Sequence, residues 1–358
     1  MSEDQELLRR GLRELLDREC DARRVRAIAY NGDGRDPALW RSLADAGWTG
    51  IAVPEVDGGA GLRFEDVAIV LEESGRALLP LPLTTTLLAA RTIDRAAEWP
   101  GREETLSRIT SGDASFTIAL RDVDRDEAGS AKSEADSWRF DGRFSFVPYG
   151  PLVDFVLMEA GGGLVVLPTD APGMTWTDLN VIDRTVPQYE LSVNDARVKE
   201  SDSLHGNADA RHAIAALRDE WTAALAAESL GAAECLLAMS VAYAKERVQF
   251  ARPIGANQSV KNRLADMGAA IERMRAAVYH AAVKIDADAE DRYLAVAMAK
   301  VATAGQGAWL GSQAIHVHGG IGYTWEHDLH LHFKRLKSNE LLLGDDSVHL
   351  ARVADAVL

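Results

Sequence analysis

Arg247-Val248-Gln249-Phe250-Ala251-Arg252-Pro253-Ile254-Gly255 sets a guanidinium and an aromatic ring three positions apart, where a long helix-forming stretch gives way to a loop. A guanidinium fork pairs two anionic oxygens at once, and its planar cation also stacks on aromatic faces. The combination suits a diphosphate with an adenine or ribose beside it. A plain helix C-terminus, where a basic residue favours the dipole, has the same composition. A second segment, His316-Val317-His318-Gly319-Gly320-Ile321-Gly322-Tyr323, carries three glycines in four positions. Such glycines let backbone approach a ligand and turn N–H groups towards an anion. A helix-ending turn would use them equally well.

Other candidate groups carry less. His316, His318, His327, His330 and His332 cluster in sequence, but imidazoles hold a metal only where their geometry converges, so no metal site is expected. Lys334, Arg335 and Lys337 read as a solvated helix face. Gly161-Gly162-Gly163 precedes a strand-like run, Leu164 to Pro168, and so reads as a hairpin connection. A phosphate loop would need a helix directly after it. Two cysteines, Cys20 and Cys235, cannot make a disulfide framework or a cysteine-based zinc site.

The elements that must position these groups follow from pattern. The chain has 358 residues, 47% of them hydrophobic, enough for two or three domains. Its net charge of −16 argues against nucleic acid and anionic membrane surfaces, and means that an anionic ligand needs local arginines. The N-terminus lacks a signal-type apolar stretch, and no uninterrupted apolar run reaches the roughly 18–20 residues of a membrane span. A cytoplasmic protein is expected.

The first third is helical. Asp36 caps a helix opened by Pro37, with Gly47 at its end, and another runs from Phe64 to Leu79 until Pro80 and Pro82 stop it. From Ala114 to Val198 short β-rich runs alternate with turns: Ser115 to Arg121, Trp138 to Val147, Asp154 to Glu159 and Leu164 to Leu167. Helices return from Asp209: Ala213 to Arg247, Gln258 to Ala289 with Asn257 as its N-cap, and Arg292 to His316. With one more at the C-terminus they predict a four-helix bundle.

Taken together with Leu43 to Leu62 (LADAGWTGIAVPEVDGGAGL) and Val317 to Lys337 (VHGGIGYTWEHDLHLHFKRLK), the two clusters resemble the acyl-CoA dehydrogenase family along nearly the whole chain. The resemblance implies an α+β protein: a helical N-terminal domain over 1–112, a central β-domain over 113–200 and a C-terminal four-helix bundle over 208–358. It also implies a tetramer with FAD held between subunits. One subunit holds the flavin ring; the neighbour's bundle reaches over to the pyrophosphate and adenosine. The positions that reach over correspond to Arg247, Phe250, His316, Gly319 and Gly320.

The other half of the family's pattern is altered. Where many members have tyrosine-x-valine-threonine-glutamate-proline-glycine, this chain has Phe116-Thr117-Ile118-Ala119-Leu120-Arg121-Asp122. Where they have tryptophan-x-threonine, it has Phe146-Val147-Pro148. Proline offers neither a hydroxyl nor an N–H to the ring's edge. Counting from Gly319-Gly320, the family's glutamate-glycine-threonine should begin at 343, and the chain reads Leu343-Gly344-Asp345. A branch that takes its glutamate from the first bundle helix would place it at Trp221, next to Glu220. Glu228 and Glu234 follow on that helix, and Asp345 and Asp346 lie near the first position; none is expected to act as the base.

The resemblance therefore points to the subunit without the base in an α2β2 acyl-CoA dehydrogenase, of the kind found in bacterial steroid side-chain degradation. Its partner would be the catalytic subunit, which would also hold most of the acyl-CoA. Two alternatives stay open: a self-sufficient homotetramer with an atypical base, and a flavin-free scaffold or regulatory protein of the same fold.

Overall fold

The computed structural model describes residues 2–96, 98–121, 130–134, 137–199, 203–204 and 210–358. Asp122, Asp209 and the expected domain bounds at 200 and 208 lie outside them. In chain order the helices of the first third are α1 (Glu3–Glu19), α2 (Ala22–Arg26), α3 (Pro37–Asp45), α4 (Phe64–Ala77), α5 (Leu83–Arg95) and α6 (Arg102–Thr110). Strands follow: β1 (Phe116–Ala119), β2 (Ser130–Glu134), β3 (Ser137–Pro148), β4 (Phe155–Ala160), β5 (Gly163–Pro168), β6 (Met174–Leu179) and β7 (Gln188–Lys199). The last third holds α7 (Ala210–Glu246), the short β8 (Val248–Gln249) and β9 (Arg252–Pro253), then α8 (Gln258–Asp286), α9 (Arg292–His318), α10 (Leu329–Leu341) and α11 (Asp346–Val357).

Local chemistry sets many of these ends. The Asp36 carboxylate accepts from Leu39 N at 3.0 Å, Pro37 opens α3, and Gly47 follows it at φ 82°. Gly161 and Gly162, at φ 58° and 84°, join β4 to β5 as a two-residue hairpin. Asn257 occupies the N-cap position of α8 as expected, with extended backbone, but its side chain makes no capping bond; its Oδ1 accepts from Arg252 Nη2 at 2.6 Å. The single helix expected at the C-terminus is two, broken where Leu343 and Gly344 take φ 60° and 94°.

The chain divides into two units. Arg26–Val67 with Pro80–Trp221 makes one of them. It contains a three-stranded sheet, β1-β4-β5, with β1 parallel to β4, and a four-stranded antiparallel sheet, β2-β3-β7-β6. Phe140, Phe144, Val147, Val156, Met158 and Leu191 form a common core with Ala119. Helix α5 is pinned to β1 through both backbone polar groups of one residue: Phe116 N donates to Thr86 Oγ1 at 3.0 Å, and Thr85 Oγ1 donates to the Phe116 carbonyl at 2.6 Å.

Met1–Val25, Ala68–Leu79 and Thr222–Leu358 make the other. Here α4 and α7 meet backbone to backbone. A Cβ on Gly75 would lie 2.0 Å from the Glu228 carbonyl oxygen, and one on Gly231 would lie 1.8 Å from that of Glu72. Glu72 and Glu73 are fully buried and paired with Arg9 at 2.7 Å and Arg13 at 2.6 Å, which ties α1 to α4. The Arg275 guanidinium adds α8 to Glu72 at 3.0 Å. By length and composition Arg211–Glu246 could cross a membrane, with mean hydropathy 1.4, but 67% of that window is buried in protein as a core helix would be.

Candidate cofactor-binding site

Helix α7 ends at Glu246 and the chain turns back through the β8–β9 hairpin. Phe250 and Ala251 occupy the two turn positions, at φ 53° and 63°. Left-handed backbone at non-glycine residues costs about 1 kcal/mol or more each and persists only where the surroundings enforce it. Here the enforcers are the pairs Val248–Pro253 and Gln249–Arg252, the Arg252–Asn257 hydrogen bond, and Ile254 N donating to the Arg247 carbonyl at 2.8 Å. The result is a Phe250 ring 94% exposed at the hairpin tip. Arg247 is also exposed, and among the described residues its guanidinium has no ion pair or hydrogen bond.

Helix α9 ends in the glycine segment. Gly319 has φ 63° and ψ −141°, and its N–H donates to the Ile315 carbonyl. A Cβ on Gly319 or Gly320 would meet nothing within 4 Å, so crowding inside this chain does not demand glycine there. Both residues are exposed, and so is His316. His318 is not. Its Nδ1–H donates to the Ala314 carbonyl at 2.8 Å, and its ring stacks on Tyr243 at 4.6 Å and meets the edge of His327 at 4.8 Å. Burial pushes this imidazole below its usual range. Tyr243 lies one turn before Arg247, whose N–H donates to the Tyr243 carbonyl at 2.8 Å. The stack therefore brings the ends of α7 and α9 together, with Arg247, Gly319 and Gly320 at the same end of the bundle. An unpaired guanidinium and open glycine backbone fit an anionic group such as a pyrophosphate.

Most of the described residues at the altered family motifs are buried. Ala119 and Val147 are each 1% exposed within the β-core, and Leu120 is 6% exposed. The Pro148 carbonyl already accepts the Thr117 hydroxyl.

Each candidate carboxylate except Asp346 has other work. Glu220, 1% exposed, accepts on Oε1 from Arg91 at 2.9 and 3.1 Å and from Arg95. Burial alone would raise its carboxyl, but the two guanidiniums outweigh burial and hold it below the usual range. Glu228 pairs with Arg335 at 3.4 Å, and Glu234 with Arg275. Asp345 caps α11, accepting from Ser347 N at 2.9 Å and Val348 N at 3.4 Å. Asp346 keeps one buried oxygen without a partner, and burial raises its carboxyl. Trp221 is 5% exposed, and Leu343 offers no acceptor beyond its backbone.

The basic run is not a solvated face. Arg335 is 1% exposed against Glu228, Lys337 pairs with Glu340 at 2.6 Å, and Lys334 lies over the Trp325 ring at 4.7 Å. Two supports of the 339–344 segment were not singled out from sequence. Lys300, 1% exposed, donates to the Asn339 carbonyl and to that of Leu342 at 2.7 Å. His349, fully buried, donates from Nε2 to the Leu343 carbonyl at 3.0 Å. A lysine inside the apolar run Ala295 to Ala304 was the available signal for the first.

Comparison with known proteins identifies a family and a fold. Residues 2–113 match the acyl-CoA dehydrogenase N-terminal domain, and residues 213–358 match the acyl-CoA dehydrogenase C-terminal domain. The acyl-CoA dehydrogenase IpdE2 of Mycolicibacterium smegmatis is 31% identical over 356 residues, covering 99% of this chain and 98% of the relative. Among solved structures, a variant of the Tcur3481-Tcur3483 steroid ACAD superposes with a TM-score of 0.90 at 31% identity, covering 99% of this chain and 98% of that one. The ChsE4-ChsE5 complex from Mycobacterium tuberculosis superposes with a TM-score of 0.91 at 27% identity, covering 100% and 98%.

Proposed function

The chain belongs to the acyl-CoA dehydrogenase family, and we propose that it acts there as the non-catalytic subunit of an α2β2 heterotetramer, completing the FAD site of a catalytic partner. The observation that carries this reading is an asymmetry. Arg247, Phe250, Gly319 and Gly320 are exposed and open, while Ala119, Pro148, Trp221 and Leu343 stand where the family pattern has polar or acidic groups. Two similar solved structures bear paired names, Tcur3481-Tcur3483 and ChsE4-ChsE5, which supports a two-chain assembly. A CoA ester of a steroid side chain is the substrate class in this reading. It retains the three-domain division at 112, 200 and 208, and a cytoplasmic location.

Bound FAD supplies the acceptor for the hydride that leaves the β-carbon during α,β-desaturation. This chain's residues hold and orient. The Arg247 guanidinium pairs pyrophosphate oxygens by charge-assisted hydrogen bonds. Backbone at Gly319 and Gly320 admits the same group closely because no side chain intervenes. Phe250 would pack on the adenosine end, and His316 would offer a ring nitrogen to it. No carboxylate of this chain removes the α-proton.

The test is flavin content. The chain purified alone is expected to be flavin-free, and yellow when co-expressed with a neighbouring dehydrogenase gene product. A stable, active homotetramer carrying four FAD would establish the self-sufficient reading instead. A flavin-free complex would establish the scaffold reading.

A further inference from the structure

Helices α7 and α8 leave a groove between them, within the Thr222–Leu358 part of the chain. Its volume is about 600 Å³, and its floor is apolar: Leu237, Ala238, Val241, Ala242, Gly268 and Ile271. Along α7 it runs from Glu234 to Glu246, about 18 Å or three turns at 1.5 Å per residue. One end carries the Glu234–Arg275 ion pair. At the other, Lys245 and Glu246 are exposed, and among the described residues neither side chain has an ion pair. Ala238 and Ala242 stand one turn apart and are exposed. Gly268 lies inside α8, where alanine would be the better helix former. A Cβ there would touch only Leu237 Cδ2, at 3.9 Å. Crowding inside this chain therefore does not demand glycine at 268, and its bare backbone suits a second surface that comes close.

We propose that this groove docks a helix of the catalytic partner subunit and so seats that subunit beside the residues that hold its flavin; the inference rests on the heterotetramer reading above. Three arguments choose this occupant. An apolar floor about three turns long between two helices takes the ridge of a third, and small residues let the axes approach closely. The groove's Lys245-Glu246 end runs directly into Arg247 and the β8–β9 hairpin, so a partner whose FAD meets Arg247 and Phe250 lies against that end. Its surface can also match the unpaired Lys245 and Glu246 charges at the rim, which fixes register more than it adds affinity. A second copy of this chain fits less well. About a two-fold axis a patch meets itself, and a concave groove set against its own copy leaves both unfilled.

The experiment co-expresses the full-length chain with the neighbouring dehydrogenase gene product and measures, by mass photometry, the concentration at which the purified assembly dissociates. Two substitutions fill the groove: Ala242→Trp on α7 and Gly268→Leu on α8, the second also placing a better helix former at its position. Each is expected to raise the dissociation midpoint at least about tenfold, with the far-UV circular dichroism of the protein unchanged. An unchanged midpoint in Gly268→Leu overturns the proposal, even if Ala242→Trp fails to fold, and leaves the heterotetramer reading standing. A wild-type chain that forms no assembly with that gene product overturns both. A wild-type homotetramer loosened by the same substitutions assigns the groove to a second copy and overturns the partner as its occupant.

Discussion

The rings of Tyr243 and His318 stack with centroids 4.6 Å apart. Aromatic pairs at this distance contribute about 0.5–1.5 kcal/mol beyond the area they bury. The stack joins two helix ends far apart in sequence. One carries Arg247 and Phe250, the other Gly319 and Gly320, and a cofactor gripped by both depends on their spacing.

Arg247→Ala is therefore expected to weaken FAD retention in the assembled protein. A charge-assisted contact is worth about 1.5–3 kcal/mol, or roughly 10–100-fold in affinity. Phe250→Ala should act in the same direction, and Tyr243→Leu more weakly. Flavin release on serial dilution measures all three. Unaltered affinity in the Arg247 variant would reduce that residue to a helix end.

Flavin stoichiometry is the second expectation. If Pro148 and the buried Ala119 deny a flavin ring polar contacts from those strands, an α2β2 assembly should hold two FAD. Absorbance after denaturation gives the ratio to protein. Four per tetramer would count decisively against the assignment.

The third concerns the carboxylates. Glu220→Gln, Asp345→Asn and Asp346→Asn should each change turnover by less than about tenfold, under about 1.4 kcal/mol on the barrier. Loss of a true base lowers turnover by about 10²–10⁴-fold. Glu220→Gln should instead show itself in stability, costing about 3 kcal/mol because Arg91 loses the anion it was buried against. Asp346→Asn is the sharpest of the three, since burial raises the Asp346 carboxyl whereas those of Glu220 and Asp345 are held low. Abolished turnover in a variant that keeps its flavin would return a catalytic site to this chain.

A fourth expectation follows from His349. Burial, ahead of every other influence, pushes its imidazole down to about 4. In the unfolded chain the group titrates near 6.5, so between these values the unfolded state binds more protons than the native one. Its contribution to stability is unimpaired above pH 6.5 and lost as pH falls through 4, to a total of about 3 kcal/mol. Denaturant titrations at pH 7 and pH 4.5 should show a smaller loss in His349→Asn than in the wild type. Parallel losses would mean that the imidazole is not held neutral.

Much of this was legible in the sequence because it is local. Asp36, Pro37 and Gly47 bound their helix as read, and Gly161-Gly162 makes the hairpin its glycines demand. Asn257 stands at the N-cap as read, but its side chain does not cap, because Arg252 claims its oxygen. Arg335 misled because its partner, Glu228, lies on another helix. Lys300 holding the carbonyls of Asn339 and Leu342, and Tyr243 meeting His318, are tertiary contacts that no periodicity encodes. The family positions Arg247, Gly319 and Gly320 were found through motif spacing, while their openness needed coordinates.

The turn at Phe250 and Ala251 bears on how the chain would meet its partner. An arm held in a costly backbone conformation by its own strand pairs is shaped before contact, so docking forfeits little disorder. Assembly should then behave as the joining of two rigid bodies, with association rates insensitive to agents that promote local folding. Replacing Phe250-Ala251 with Asn-Gly, the pair that prefers this turn, would leave the arm's path intact while deleting its ring. Shape and adhesion, fused in the native hairpin, could then be weighed apart.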